Sequence, residues 1–171
     1  MNINPLLLKT LYLVRHAKSS WDNASTRDID RPLNESGIQA AYSVGNELLL
    51  HHEKPEWIGS SNAKRAMHTS VIFSRVLGVN EEDFHLIPSL YLCSKEEVHA
   101  QVSRLDSKLT SAARFFHNPS ITEVANALGA KSLMNVKTCG VLKLKLPNWN
   151  IGPGSEVESI QYFDRSTWHS F

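Results

Sequence analysis

The stretch LYLVRHAKSSW, residues 11–21, carries a run of four apolar side chains into a cation and an imidazole. Such a run, from Leu11 to Val14, is typical of a buried β-strand. Arg15 and His16 come directly after it, where the strand leaves the hydrophobic core. A charged and a titratable side chain at that point predict either a solvated loop or the edge of a binding site. Polar residues elsewhere in the chain that are predicted at the same place would favour the binding site over the solvated loop.

The size and charge of the chain exclude several classes of protein. Its 171 residues suit one domain, which we predict to span residues 1–171, with the structure of the C-terminal segment 147–171 left open. The 18 basic and 17 acidic side chains give a net charge of +1, so no broad surface for nucleic acid or anionic lipid is expected. Two cysteines are too few for a disulfide framework or a cysteine-rich zinc site.

The apolar N-terminus, MNINPLLLKTLYLV, predicts neither a signal peptide nor a membrane span. It lacks a basic leading segment and a small-residue cleavage site, and Lys9 and Arg15 interrupt it too early for it to cross a bilayer. A cytoplasmic location is therefore the default expectation.

Strands and helices alternate along the first half of the chain. Residues 10–15 are predicted as a strand, a loop rich in turn residues follows, and a helix is predicted from Glu35 to His52. PEWIGSS is predicted as a short strand, and a second helix follows it, opened by Asn62 and closed by Gly78 in a left-handed conformation. The predicted inward face of the first helix consists of Ile38, Ala41, Gly45, Leu48 and Leu49.

The second half of the chain continues the alternation. FHLIPSLY and TSAARFF are predicted as strands, and SKEEVHAQVSRL and SITEVANALG as helices. Each helix is predicted to begin with a capping box, Ser94 with Glu97 and Ser120 with Glu123. CGVLKLKL is predicted as a half-exposed strand, with an interaction edge as one interpretation. The alternation predicts an α/β fold, a three-layer α/β/α sandwich with a mostly parallel central sheet.

Polar side chains follow three of the predicted strands. Arg15 and His16 follow the first, Arg65 lies in the first turn of the helix after the second, and His117 directly follows TSAARFF. Because ligands bind beyond the carboxyl ends of parallel strands, we expect two arginines and two histidines at one edge of the sheet. Guanidinium groups and helix N-termini bind phosphate oxygens, so this set predicts a site for phosphate or a similar oxyanion. Taken singly, each residue is more typical of a solvated surface position.

A histidine in this setting can donate to the anion or attack phosphorus. A nucleophilic imidazole must be neutral. Neighbouring cations lower a histidine pKa, so Arg15 and Arg65 are expected to keep His16 neutral near pH 7. The sequence contains no H-E-x-x-H motif and no cluster of cysteine and histidine, which disfavours a metal hydrolase.

Several segments carry a resemblance to a known family. LVRHAKSSW resembles the RHG-type signature of the histidine phosphatase superfamily, which has the phosphoglycerate-mutase-like fold. RHAKSSW…DIDRPLNESG, SSNAKRAMHTS and HNPSITEVANALG are similar to its short phosphohistidine phosphatase branch, the SixA-like proteins. The resemblance runs from about Leu11 to Trp149 and covers most of the chain.

The resemblance implies a phosphatase that needs no metal and no organic cofactor. His16 would be the nucleophile and would form a phosphohistidine intermediate. The implied set of phosphate-binding residues is Arg15, Arg65, His117 and Ser19. Asp28, Asp30 and Arg31 match a D…RPL segment of that branch. They are interpreted as ordering the loop, with contact to the substrate as the alternative.

Two departures from the family pattern bear on activity. The family places a small glycine before its second histidine, whereas this chain has Phe116, which could crowd the phosphate site. Larger relatives supply a carboxylic acid that protonates the leaving group. Glu96 and Glu97 are the candidates for it here, although a role at the start of a helix is the other interpretation.

Phosphohistidine on a protein is the substrate that these observations favour. Imidazole, whose conjugate acid has a pKa near ~6.5, leaves phosphorus with less help from an acid than an alcohol needs. The alternatives are a non-catalytic phospho-binding module of the same fold and a small-molecule phosphomonoesterase. The expected partner is thus a phosphorylated protein or a small phosphate compound, without nucleic acid or membrane, and the oligomeric state stays open.

Overall fold

One mixed β-sheet forms the middle of the protein. The computed structural model describes residues 8–22, 24–130, 133–164 and 167–171. Within these ranges the strands are β1 (Lys9–Arg15), β2 (Trp57–Ser60), β3 (Phe84–Leu86), β4 (Ser111–Phe116), β5 (Val141–Leu146), β6 (Ser159–Asp164) and β7 (Thr167–Ser170). They form a single sheet in the order β3-β2-β4-β1-β5-β6-β7.

The sheet has a parallel half and an antiparallel half that meet at β1. β3, β2, β4 and β1 pair in parallel, whereas β5, β6 and β7 each run antiparallel to their neighbours. The C-terminal segment left open by the sequence therefore extends the sheet through β6 and β7. β5 lies between β1 and β6, so its interpretation as an interaction edge is wrong. Its half-buried Lys143 and Lys145 bind Glu53 and the Thr10 hydroxyl.

Helices cover both faces of the sheet, which confirms the predicted α/β/α sandwich. The helices are α1 (Glu35–Leu50), α2 (Lys64–Leu77), α3 (Lys95–Ser103) and α4 (Ser120–Ala127). One-turn 3-10 helices occur at Asp28–Asp30, Glu81–Asp83 and Pro88–Leu90. α1 and α2 pack with Tyr12, Val14 and Phe115 on one face, and α3 and α4 pack with Leu11, Leu13 and Phe116 on the other. Alternate residues of β1 and β4 thus enter opposite cores, as the two-residue repeat of a strand requires.

The buried face of α1 differs from the predicted one. Ala41, Gly45 and Leu48 are buried as expected, but Ile38 and Leu49 are 42% and 47% exposed. The inward face includes Gly37 and Val44 instead. Gly45 lies so close to α2 that an added Cβ would stand 3.3 Å from Val76 Cγ1. The small residues of α1 therefore face α2, and the larger side chains of Ile38 and Leu49 point to solvent.

Two of the predicted helix starts are also corrected. α2 begins after Ala63 rather than Asn62, without a side-chain cap, although it ends at Gly78 in the predicted left-handed conformation. α3 begins as predicted, with the Ser94 side chain accepting from Glu97 N. The capping box predicted for α4 is wrong, because Pro119 precedes the helix and the Ser120 hydroxyl donates to His117 O over 3.0 Å.

The apolar N-terminal segment, for which neither a signal peptide nor a membrane span was predicted, lies partly outside the described residues, which begin at residue 8. Among the helices in the described ranges, none is long and apolar enough to cross a membrane.

A buried arginine lies beneath β2 on the side of α3. Arg114, in β4, is 2% exposed, places its guanidinium 4.3 Å from the centre of the Trp57 ring, and donates to Gln101 O over 2.7 Å. Gly59 leaves the space for this group. A Cβ at Gly59 would stand 2.3 Å from Arg114 Nη1 and 2.7 Å from the Ile87 side chain. The lack of a side chain at Gly59 is therefore required by the packing.

Replacing Gly59→Ala is expected to lower the free energy of unfolding by about 1–3 kcal/mol, because the methyl group overpacks a closed site. Urea unfolding measures the change. Gly152→Ala is the matched control, since its Cβ would meet only Asn150 Oδ1 at 3.4 Å. Equal unfolding midpoints for the two variants would contradict this account of Arg114.

Candidate active site

Two histidines and two arginines meet where β1 and β4 end. Arg15 pairs with Phe116 in the parallel register, so His16 and His117 leave neighbouring strands side by side. Their ring centroids are 5.1 Å apart. Arg65, in the first turn of α2, donates from Nε to His16 Nε2 over 3.3 Å. We call Arg15, His16, Arg65 and His117 the His–Arg cluster.

The hydrogen bonds of His16 define which ring nitrogen carries the proton. Nδ1 lies 2.8 Å from Ala17 O, and a carbonyl oxygen only accepts, so Nδ1 is the protonated nitrogen. Nε2 then keeps its lone pair and accepts from Arg65. Burial lowers the pKa of His16 to about 4, and the positive charges of Arg65 and Arg15 add to this, against the bond to Ala17. The ring is therefore neutral at pH 7, as predicted.

Ser61 orients His117 through its hydroxyl. The Ser61 Oγ accepts from Ala63 N over 3.3 Å and lies 2.9 Å from His117 Nε2. A serine hydroxyl can donate or accept in this bond, and donation by Ser61 corresponds to the tautomer of His117 that has its proton on Nδ1. Within the described residues this Nδ1 is buried without a partner. Burial lowers the pKa of His117 to about 3, and the neighbouring His16 and Arg65 also lower it.

Asp28 binds the outer end of the Arg65 guanidinium. Arg65 Nη1 donates to Asp28 O over 2.5 Å and Nη2 donates to Asp28 Oδ2 over 2.9 Å. Tyr91 donates its hydroxyl to the same Oδ2 over 2.8 Å, and Arg31 Nη1 donates to Oδ1 over 3.0 Å. Partial burial opposes ionisation of this carboxyl, but the bonds from Tyr91 and Arg65 outweigh it and lower the pKa of Asp28.

The remaining predicted residues lie around this centre. Arg15 donates from Nη1 to Val136 O over 2.7 Å, while its Nε is buried and has no partner in the described part of the chain. Ser19, predicted to bind phosphate, is buried and accepts from Arg31 Nη2. Arg31 also stacks on Trp21, with its Cζ 3.2 Å from the ring centre. Ser19 and Arg31 therefore brace the loop that follows His16.

Comparison with known proteins shows which family the first half of the chain resembles. The model of the histidine phosphatase superfamily (branch 1) matches residues 11–90, which include Arg15, His16 and Arg65. Residues 11–90 of the chain are therefore similar to the histidine phosphatase superfamily (branch 1). An uncharacterized chloroplastic protein of Arabidopsis thaliana is 32% identical to it over 145 residues, covering 80% of this chain and 66% of that protein. The chain thus spans slightly less than two thirds of this relative's length.

Several solved structures share the fold of this chain. A protein of Agrobacterium tumefaciens provisionally assigned as the phosphohistidine phosphatase SixA matches with a TM-score of 0.72 and 24% identity, covering 95% of this chain and 94% of that one. The protein histidine phosphatase SixA complexed with tungstate matches with a TM-score of 0.71 and 21% identity, covering 80% and 88%. A phosphoglycerate mutase from Bacillus anthracis matches with a TM-score of 0.60 and 13% identity, covering 88% and 92%. At these identities the likeness concerns the fold alone.

Two features depart from the pattern of the family that the sequence resembles. They are Phe116 before His117, and Glu96 and Glu97 as the candidate acids. The Phe116 side chain is fully buried in the core beneath α3 and α4, and its carbonyl accepts from His16 N over 3.2 Å. Glu96 and Glu97 open α3, where Glu97 accepts from Gln101 over 2.8 Å. In the part of the chain that the structure describes, no hydrogen bond or ion pair joins either glutamate to the His–Arg cluster. The same ranges contain no group of three or more residues able to hold a metal ion.

Sequence reasoning missed two residues of the site. Ser61 was recognised only as the end of a strand, and Tyr91 had no assigned role. Ser61 lies 56 residues from His117 and Tyr91 lies 63 residues from Asp28, so no local pattern links them. The position of Ser61 beyond a strand end was the one available signal, because that edge of the sheet is where ligands bind.

The low pKa of His16 predicts a pH-dependent stability. Between pH 6.5 and about 4, the unfolded chain binds a proton at His16 that the folded chain does not. The free energy of unfolding must therefore fall as pH falls through this window, by up to about 3 kcal/mol for this residue. Urea unfolding of wild type and His16→Asn between pH 4 and pH 7 measures it. We expect a flatter profile for His16→Asn, whereas the exposed His68→Asn control keeps the wild-type slope; equal slopes for all three would contradict the assignment.

Proposed function

We propose that the protein is a phosphatase that acts through a covalent phosphohistidine intermediate on His16. The observation that carries the proposal is the hydrogen bond from His16 Nδ1 to Ala17 O, which keeps the lone pair on Nε2. That lone pair lies beside Arg65 and His117, both of which can bind a phosphoryl group. A neutral imidazole held next to cations and donors is suited to attack phosphorus.

In the first step, His16 Nε2 attacks phosphorus in line with the leaving group. The new N–P bond forms as the bond to the leaving atom breaks, and the leaving atom keeps the electron pair and takes a proton from solvent. Arg65 Nε moves its hydrogen bond from His16 to a phosphoryl oxygen. The positive charge of Arg15 and the Nδ1–H of His117 stabilise the other oxygens as charge builds on them.

In the second step, water attacks the phosphorylated His16. The N–P bond breaks, its electron pair returns to Nε2, and inorganic phosphate leaves. The bond from Nδ1 to Ala17 O persists through both steps, so the ring regains the same neutral form. In this proposal Ser61 donates to His117 Nε2 in both steps, so that the ring keeps its proton on Nδ1.

We further propose phosphohistidine in a protein as the substrate. Its leaving group is an imidazole, which departs with little help from an acid. Among the described residues neither Glu96 nor Glu97 is bonded to the His–Arg cluster, which supports this substrate over a phosphate ester. The fold likeness to the tungstate-bound protein histidine phosphatase SixA adds a further argument.

Replacing His16→Ala is expected to abolish turnover of both a phosphoramidate and an aryl phosphate, because no nucleophile remains. The assay measures phosphate release together with an acid-labile, protein-bound phosphoryl group after rapid quenching. His68→Ala, on the exposed side of α2, is the matched control and should keep both signals.

Full turnover by His16→Ala would contradict the proposed nucleophile. A wild type that binds phosphate but releases none from either substrate would instead favour the non-catalytic phospho-binding module.

The double variant Glu96→Gln/Glu97→Gln is expected to hydrolyse the phosphoramidate within about twofold of the wild-type rate, since imidazole needs little protonation. Steady-state rates with the phosphoramidate and the aryl phosphate measure the change. Selective loss of ester hydrolysis in this variant would identify a general acid and would favour the small-molecule phosphomonoesterase.

A further inference from the structure

Asp28 is the residue in which the contacts of the site converge. Its backbone carbonyl and its carboxylate take the two terminal nitrogens of Arg65, over 2.5 Å and 2.9 Å. This leaves the Nε side of the guanidinium facing His16, at 3.3 Å. A guanidinium is planar, so fixing its Nη1/Nη2 end also fixes the direction of Nε. The orientation of Arg65 toward the nucleophile therefore depends on Asp28.

The same carboxylate reaches the second histidine through Tyr91. The Tyr91 hydroxyl donates to Asp28 Oδ2 over 2.8 Å. The Tyr91 ring meets the His117 ring edge to face, with centroids 5.7 Å apart. Asp28 thus connects the loop after His16, the first turn of α2 and the segment before α3.

The solvent exposures of Arg65 and Asp28 indicate that Asp28 does more than stabilise its loop. The Arg65 side chain is 5% exposed, whereas the Asp28 side chain is 44% exposed. A buried guanidinium needs partners for its donors, but a carboxylate with this much solvent contact does not need three donors of its own. The neighbouring Asp30 differs in its partners, because it pairs with Arg27 and Lys64, whose side chains are 79% and 48% exposed, rather than with a buried guanidinium.

We infer that Asp28 is a positioning residue that aims Arg65 at the phosphoryl group on His16 and, through Tyr91, holds the His117 ring. This inference rests on the proposed phosphatase function. Asp28 does not touch the reacting atoms in this account. It acts through Arg65, and its effect on the rate must therefore depend on the guanidinium being present.

A double-mutant cycle tests that dependence with phosphoramidate turnover. Asp28→Ala should lower kcat by at least about tenfold, with a smaller change in KM, because a misaligned Arg65 loses contact mainly in the transition state. In an Arg65→Lys background, which keeps the charge but has no guanidinium to orient, the same change should cost less than about threefold. Tyr91→Phe should lower kcat without the full effect of Asp28→Ala. Asp30→Ala is the matched control and should keep the wild-type kcat.

A second measurement needs no turnover. The ¹⁵N-resolved Nε–H signal of Arg65 should be observable and slowly exchanging in wild type and in Asp30→Ala, and should be lost in Asp28→Ala. Far-UV circular dichroism and urea unfolding establish that each variant is folded.

The possible outcomes separate this inference from the proposed function. If turnover depends on His16 but Asp28→Ala behaves like Asp30→Ala, or costs the same in both backgrounds, the positioning role is wrong and the phosphatase function stands. If wild type has no turnover that depends on His16, the proposed function fails, and the Arg65 signal decides whether Asp28 orients the guanidinium. An unchanged signal in Asp28→Ala overturns the inference in either case.

Discussion

The site depends on backbone hydrogen bonds that hold the end of β1 from both sides. Arg15 N donates to Gly140 O and His16 N donates to Phe116 O, over 3.1 Å and 3.2 Å. Cys139 N approaches the carbonyls of both Arg15 and His16 at 3.1 Å. The chain after β1 is therefore fixed beyond the last strand residue, where a loop would ordinarily gain freedom. A reaction that requires in-line attack benefits from a nucleophile whose backbone cannot shift.

The electrostatics of the site follow from burial. Arg65 and Arg15 lie close to two imidazoles that burial keeps neutral, and Asp28 is the carboxylate bonded to this group. Cations beside neutral rings leave a local excess of positive charge, although the whole chain carries a net charge of only +1. In the proposed reaction, the phosphoryl group of the substrate would supply the balancing negative charge. Selectivity for an oxyanion is thus built locally, in agreement with the nearly balanced composition.

Much of the fold could be predicted from periodicity, whereas the connections within the site could not. The apolar run of β1 and the glycine stop at Gly78 are local signals, and both were correct. The capping box at Ser120 failed because Pro119 takes the position before the helix, and the face of α1 shifted because Gly45 packs closely on α2. The His–Arg cluster could be predicted at one edge of the sheet, because its residues follow the ends of predicted parallel strands. The roles of Ser61 and Tyr91 arise only from contacts between distant segments.

The proposed leaving group suits a site in which, among the described residues, neither candidate glutamate is bonded to the His–Arg cluster. If the substrate is phosphohistidine, the N–P bond that breaks and the N–P bond that forms on His16 both join phosphorus to an imidazole, so the first step is close to energetically balanced. An alkoxide is a far stronger base than imidazole and would require a proton donor at the leaving oxygen. Glu96 and Glu97 lie at the start of α3, and Asp28, which is bonded to Arg65, accepts hydrogen bonds from three donors. A carboxylate held ionised in this way orients cations and has no proton to give to a leaving group, which agrees with the proposed phosphoramidate substrate.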